Sequence, residues 1–349
     1  MDGWTPLINL FQRTSTGIGT LLNTVLIQLI VYRSPKQLGT YKYLMIYISG
    51  FELFFGVLEL ATLPDFYNRD SAWFVIVDPH KSVLPHSLLQ FSAVLFCMSF
   101  GLSLAVFGVT FGYRYQVLVG KSKWTVNRPR NLLVWMGTPL IFATVWAGVV
   151  HFFQNRNEFV DRRLTTEILP SYHVTVDEIG FAGVYFRPVL EDGTQILNWD
   201  NVIGWGSMTV LALTSETIMA MFVVKCYSAI GTLISHTSCS SRYQNVQSQL
   251  FWALAAQSSI PLLFVQVPAC FVFGFTMFEE GSEYVAKMLS ISIALYLALD
   301  ALPTMFIIKS FRRTIFDFFN RLMFWKAASS SRQNEETPVN ITLQTIVRG

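Results

Sequence analysis

Four stretches of this chain contain no Lys, Arg, Asp or Glu: residues 14–32, 82–113, 131–155 and 243–278. A bilayer's hydrocarbon core, about 30 Å thick, is crossed by roughly 20 mainly apolar helical residues, so each stretch can hold a span. Three more apolar stretches carry only isolated charges: 43–64 with Glu52 and Glu59, 199–224 with Asp200 and Glu216, and 284–308 with Lys287 and Asp300. The pattern predicts an all-α, polytopic membrane protein. Its seven-helix bundle spans about 8–32, 43–64, 86–114, 131–153, 200–225, 247–277 and 284–309.

Loop charge then orients the bundle. The first connection holds Arg33, Lys36 and Lys42, and the third holds Arg114, Lys121, Lys123, Arg128 and Arg130, with no acid in either. Basic residues collect in cytoplasmic loops. After the last span, Lys309, Arg312, Arg313, Arg321 and Lys326 face only Asp317. The alternate connections are acid-rich, with Asp65, Asp70 and Asp78 in one and Glu279, Glu280 and Glu283 in another. The expectation is an extracellular N-terminus and a cytoplasmic C-terminus in the plasma membrane. The net charge of +3 is therefore a membrane-orientation signal and argues for lipid contact, not for nucleic acid. The first ten residues lack a basic n-region, so the first span is expected to act as an uncleaved anchor.

Residues 1–326 are expected to form one membrane domain, with no soluble domain large enough to carry its own core. The longest loop, about 154–198, contains short apolar runs at His173–Val176 and Gly183–Phe186, which suggest a hairpin lid, and its seven acids against four bases give that entrance a negative potential. After the last span, Phe311, Ile315, Phe318, Phe319 and Leu322 recur at helical spacing and predict an interfacial helix over about 311–325. The polar remainder, 327–349, reads as a disordered cytoplasmic tail.

An ionisable or strongly polar side chain inside a span is a functional hypothesis by default. Glu59, His86, Gln90, His151 and Gln266 fall at comparable depth near the outer ends of spans two, three, four and six, and are candidates to line one ligand cavity. Mutual hydrogen bonds among structural groups are an equal alternative. At the inner ends, Tyr113-Arg114-Tyr115 closes span three as a docking surface, Pro261 (with Pro268) bends span six, and Asp300 with Pro303 pairs an acid with a kink in span seven. The five histidines and four cysteines show no metal-ligand spacing or disulfide framework, and no nucleophile or phosphate-loop motif stands out. Neither an enzyme nor a cofactor or metal is expected.

Several strings make the chain similar to a known family. Ser34-Pro-Lys-Gln-Leu-Gly-Thr-Tyr-Lys-Tyr-Leu-Met-Ile-Tyr-Ile-Ser-Gly-Phe-Glu52 resembles the first loop and second span of the nematode seven-transmembrane chemoreceptors of the Str superfamily, which includes odorant receptors. Tyr113-Arg-Tyr115, Gln249-Leu-Phe-Trp-Ala-Leu-Ala-Ala-Gln257 with Ile260-Pro261, and Asp300-Ala-Leu-Pro-Thr-Met-Phe-Ile-Ile-Lys309 leading into Phe311-Arg-Arg313 agree with it, over residues 21–319. The resemblance implies a G-protein-coupled olfactory receptor in the ciliary membrane of a sensory neuron. Its partners would be a small volatile or lipophilic ligand and a heterotrimeric G protein. On that analogy Tyr113-Arg114-Tyr115 stands where rhodopsin-like receptors carry an acidic-Arg-Tyr motif, but without the acid, so the usual ionic lock is not expected. A ligand-gated cation channel of the insect odorant-receptor type would need the opposite orientation, and a transporter would show internal repeats.

Overall fold

The computed structural model describes residues 5–120, 129–154, 156–190, 192–235 and 240–335. Seven of its helical stretches are long and apolar enough to cross a membrane. The first four spans are α1 (Thr5–Arg33), α2 (Tyr41–Thr62), α3 (Leu89–Leu118, preceded by a 3-10 turn at His86–Leu88) and α4 (Pro129–Phe153). A short helix α5 (Glu158–Arg163) lies in the following loop, and the fifth span is α6 (Trp199–Ser235). The sixth is α7 (Ser241–Pro261) and α8 (Val267–Met277), joined by a π turn at Leu262–Gln266. The seventh is α9 (Glu283–Leu299) and α10 (Ala301–Ile307), interrupted at Asp300. A final helix, α11 (Lys309–Glu335), follows.

Local chemistry accounts for the breaks. Pro64 follows the left-handed Leu63 (φ 42°) that caps α2. Pro129, which has no amide hydrogen to lose, opens α4. Pro268 cannot donate to the turn before it, and the chain between Pro261 and Val267 widens into the π turn. The fifth span runs ten residues past the expected end at 225 and the sixth begins six residues before the expected start at 247. The two form a long hairpin, with Ser240 capping α7 through its hydroxyl.

One element was not foreseen. β1 (Asp65–Arg69), β2 (Ala72–Val77) and β3 (Gly180–Tyr185) form an antiparallel sheet in the order β1-β2-β3. The lid is therefore not a hairpin of the long loop itself: β3 pairs with a hairpin from the connection after α2, and His173–Val176 is not a strand. All six β2 residues are buried, because both faces of the sheet are covered. Trp73, Val75, Ala182 and Val184 belong to the main bundle core, while Phe74, Ile76 and Phe181 pack with Val160, Leu164 and Ile168 of the long loop. The alternation follows the period-two geometry of a strand.

Hydrogen bonds fasten this lid to the bundle. Gln90 of α3 exchanges two bonds with the Phe181 backbone (2.9 and 3.0 Å), and Asn201 of α6 accepts from Tyr185 N (2.7 Å) while donating to Phe153 O of α4 (3.1 Å). Asp70, at the β1-β2 turn, exchanges two 3.1 Å backbone bonds with Gly281 between spans six and seven. Ion pairs add Arg163–Asp70 (2.7 Å) and Arg187–Glu279 (2.6 Å).

The N-terminal half of α1 lies at this sheet end, where Ile8, Asn9 and Gln12 share a cleft with β1. At the opposite end Ser310 of α11 donates to Arg33 O of α1 (2.8 Å). Phe311 and Ile315 of α11 pack on the bundle, whereas Phe316, Phe318, Phe319 and Met323 are exposed, as suits a helix lying along an apolar interface. The helix reaches Glu335, so residues 327–335, placed in the tail on sequence grounds, are helical. Residues 336–349 lie outside the described residues, as do the basic residues Lys121, Lys123 and Arg128 of the third connection.

Candidate ligand cavity and transmission site

Beneath the sheet, in the middle of the bundle, is an apolar cavity of about 50 Å³. Its walls are Phe96, Cys97 and Phe100 of α3, Trp146 of α4, Met208 of α6, Ala269 and Phe273 of α8, and Leu289 and Ile293 of α9; Phe66, Trp73 and Val75 roof it, and Gln154 closes one side. Trp73 stands 4.8 Å from Phe273 between ring centroids. Its buried indole Nε1 has no partner among the described residues. Gln154 donates through Nε2 to the Met208 thioether (2.9 Å), a weak acceptor. No charged side chain lines this cavity.

A second, polar cleft of about 280 Å³ lies on the other side of the sheet end, between α1, β1, the long loop and α9. Lys81 pairs with Asp65 there (2.5 Å) and Lys287 with Glu283 (3.8 Å). Burial pushes the Asp65 carboxyl up from its ordinary range, and the Lys81 ammonium opposes that shift without cancelling it.

Deeper in the bundle, spans two, six and seven share a buried polar cluster. Tyr296 donates to Glu52 (2.5 Å), Gln257 donates to Asp300 (2.7 Å), and Thr304 donates to Gln257 Oε1 (2.9 Å). Glu52 Oε1 and Asp300 Oδ1 are buried without a hydrogen bond among the described residues. A water-sized void of about 10 Å³, lined by Tyr41, Ser49, Gln257 and Thr304, continues from this cluster toward the far end.

At that end Arg114 is only 3% exposed. Its Nη2 donates to Gln247 O (3.0 Å) and Gln247 Oε1 (3.3 Å), and its guanidinium lies 4.9 Å from the Tyr41 ring centroid. Tyr113 is buried between Tyr41 and Trp135, and Tyr115 packs on Phe222 with Lys225 over its ring. Tyr113, Arg114 and Gln247 line a crevice of about 150 Å³, beside a broader groove of about 1110 Å³ edged by Arg33, Arg242, Lys309 and Arg313.

The sequence profile described as serpentine type 7TM GPCR chemoreceptor Str matches residues 8–316. The chain belongs to this family. A relative from Caenorhabditis elegans, G-protein coupled receptor str-217, is 30% identical over 318 residues, covering 88% of this chain and 90% of that protein. Serpentine receptor class r-10 from the same organism is 28% identical, with 90% and 91% covered. Among solved structures, squid rhodopsin superposes with a TM-score of 0.61 over 96% of this chain and 91% of its own, at 12% identity, which speaks to the fold. This Str-family chain is thus a multi-pass membrane protein of a receptor family with the rhodopsin-like seven-helix architecture.

Placed on that architecture, the five ligand candidates do not converge. Glu59 is buried and accepts from Gln12 of α1, Gln90 is spent on the β3 backbone, and His86 and His151 are exposed. Gln266 faces Glu216 between spans five and six. Equal depth in a membrane does not imply a common direction, because each helix rotates its own polar residue by 100° per position. Tyr113 and Arg114 are also not an exposed docking surface; packing against Tyr41, Trp135 and Gln247 makes them an internal brace beside a crevice. Pro261 leads into the π turn, Asp300 sits at the interruption of span seven, and Pro303 follows it in α10. Sequence reasoning missed Trp73, Gln154, Gln247, Gln257 and Tyr296. Gln247 and Gln257, two of the glutamines of the charge-free sixth span and ten residues apart, were the available signal.

Proposed function

We propose that this chain is a chemosensory receptor that binds a small, uncharged, lipophilic or volatile molecule in the cavity beneath the sheet and activates a heterotrimeric G protein at the Arg114 end. Its N-terminus is extracellular, its C-terminus cytoplasmic, and its site of action the plasma membrane of a sensory cell, in the cilium on the family analogy. Tyr113, Arg114, Tyr115, Pro261, Asp300 and Pro303 carry the conformational change between the two ends. The observation that carries this reading is the uncharged cavity shared by spans three to seven under a fastened lid; its apolar and aromatic lining with few polar groups is that of a small-molecule site, and its volume of about 50 Å³ has room for a very small occupant. The eight bases and no acid in the first and third connections support the orientation.

A ligand filling the cavity contacts Ala269 and Phe273 of α8 and Leu289 and Ile293 of α9. Those helices continue through the π turn and the Asp300 interruption, two places where a span departs from a regular α-helix. A shift there changes how Gln247 meets Arg114 and so reshapes the crevice that a G protein would enter. The test is expression with an N-terminal epitope tag, a panel of small volatiles and metabolites, and a G-protein activation readout. Staining of the tag on intact cells with a dose-dependent response is expected. A tag reached only after permeabilisation, or solute flux without G-protein activation, overturns the reading.

A further inference from the structure

We propose that the basic groove between α1, α7 and α11 binds the headgroup of an anionic membrane lipid that carries more than one phosphate, a phosphoinositide phosphorylated on its ring. The inference rests on the orientation read above only for the leaflet that supplies the lipid. It adds a site at the end of the bundle opposite the ligand cavity.

Charge sets the class of occupant. Arg33 ends α1, Arg242 lies in the first turn of α7, and Lys309 and Arg313 lie in the first two turns of α11. All four edge one groove of about 1110 Å³, all four are exposed, and none forms an ion pair among the described residues. Asp317 is the one acid in that lining, so four bases against one acid leave three net positive charges. Like charges gathered from three helices repel one another, and an anion of matching charge removes that cost. A phosphomonoester carries about −1.5 to −2 at pH 7, so two of them match the groove where a headgroup with a single net charge does not. Three of the four bases are arginines, whose planar fork bonds two phosphate oxygens at once. The N-terminal ends of α7 and α11 both open onto the groove, and their helix dipoles add positive potential there. Ser34, Ser310 and Thr314 give their hydroxyl hydrogens to backbone oxygens (2.5, 2.8 and 3.1 Å), so the contacts on offer are mainly those of the bases.

Position sets the source. Arg33 closes the first span and Lys309 follows the seventh by two residues, so the groove lies where the spans leave the hydrocarbon. Tyr32, in the lining, is 80% exposed, and Phe316, Phe318 and Phe319 are exposed along α11, as suits surfaces that meet lipid. A lipid anchored in the leaflet presents its headgroup at that depth. Gln37 and Leu250 line both this groove and the Arg114 crevice, which places the lipid beside the G-protein entrance and not in it.

The experiment uses the full-length receptor in detergent, with bound lipid counted by native mass spectrometry and affinity measured by thermophoresis. The probes are short-chain bisphosphorylated phosphoinositide, phosphatidylserine and phosphatidylcholine, soluble inositol trisphosphate, and inorganic phosphate. The phosphoinositide is expected to bind as one copy per chain, about tenfold more tightly than phosphatidylserine or the soluble headgroup. The double variant Arg242→Gln/Arg313→Gln should weaken it about tenfold. Arg312→Gln/Arg321→Gln removes the same charge outside the groove and should stay within about twofold. Equal affinity for phosphatidylserine, a soluble headgroup as tight as the lipid, full binding by the groove variant, or an equal loss in the control variant each overturns the proposal. Loss of G-protein binding in the groove variant with lipid binding intact assigns the groove to the protein partner and overturns it too. The epitope-tag experiment keeps the two readings apart. Selective binding with the tag found inside leaves the site standing and moves it to the other leaflet, whereas a tag found outside with no selective binding removes the site and leaves the receptor reading intact.

Discussion

Arg114 of the third span donates to both the main-chain and the side-chain oxygen of Gln247 in the sixth, at 3.0 and 3.3 Å. The pair ties together two of the helices that line the crevice, without the acid that would make it an ion pair. Because Gln247 Oε1 is one of two acceptors, Gln247→Leu weakens the tie without leaving Arg114 bare. Ligand-independent G-protein activation should rise severalfold in Gln247→Leu at unchanged surface expression. Arg114→Ala should bind ligand and fail to signal. Normal basal activity in the first variant would show that the pair is not a latch.

Gln257 holds two partners at once, donating to Asp300 and accepting from Thr304. Gln257→Leu orphans both buried groups, at about 1–3 kcal/mol for each unpaired group. Its unfolding midpoint in detergent, followed by thiol-reactive dye at the buried Cys97 and Cys226, should fall by several degrees. Asp300→Asn retains an oxygen to accept from Gln257 and should fall by less. Equal losses would mean that packing, not the hydrogen bonds, sets the stability there.

Span number and approximate span position were legible because hydropathy reports burial in lipid, which is averaged over a whole helix. The sheet was not, although Ala72-Trp-Phe-Val-Ile-Val77 is a run of β-favouring residues. A strand covered on both faces shows no alternation, and next to membrane helices its apolar run looks like one more piece of span. Arg114 was found because a charge at a helix end stands out. Its partner was not, because an amide contact across 133 residues leaves no local pattern. Trp73 was hidden for the same reason: indole is common in membrane proteins, and its significance lies in a missing partner that sequence does not report.

Asp65 makes the sheet end sensitive to pH. Its folded pKa is raised, chiefly by burial and against the effect of Lys81, with Asp78 adding to the rise and Tyr172 opposing it. A carboxyl that holds its proton more firmly when folded stabilises the fold at acid pH, fully below the ordinary Asp range, and that contribution is lost as pH rises through the raised value. The unfolding midpoint should therefore decline as pH rises through that value, and Asp65→Asn should flatten the decline. An unaltered slope in Asp65→Asn would assign the dependence to another group.

Gln90 and His86 lie four residues apart at the start of the third span, yet the structure gives them opposite consequences. His86 is exposed in the 3-10 turn and lines neither cavity at the sheet end. Gln90 fastens β3 to the third span through both amide atoms, donating to Phe181 O and accepting from Phe181 N. β3 is hydrogen-bonded to β2, register partner for partner, with Trp73 opposite Val184, so a loosened β3 loosens the roof that carries Trp73. Gln90→Leu should raise the dissociation rate of a bound ligand about tenfold, equivalent to about 1.4 kcal/mol. Gln90→Glu, which keeps an acceptor for Phe181 N but loses the donor to Phe181 O, should fall between. His86→Leu should leave dissociation unchanged. Dissociation kinetics in nanodiscs separate the three, and a His86 effect equal to that of Gln90 would move the ligand from beneath the sheet to the mouth above it.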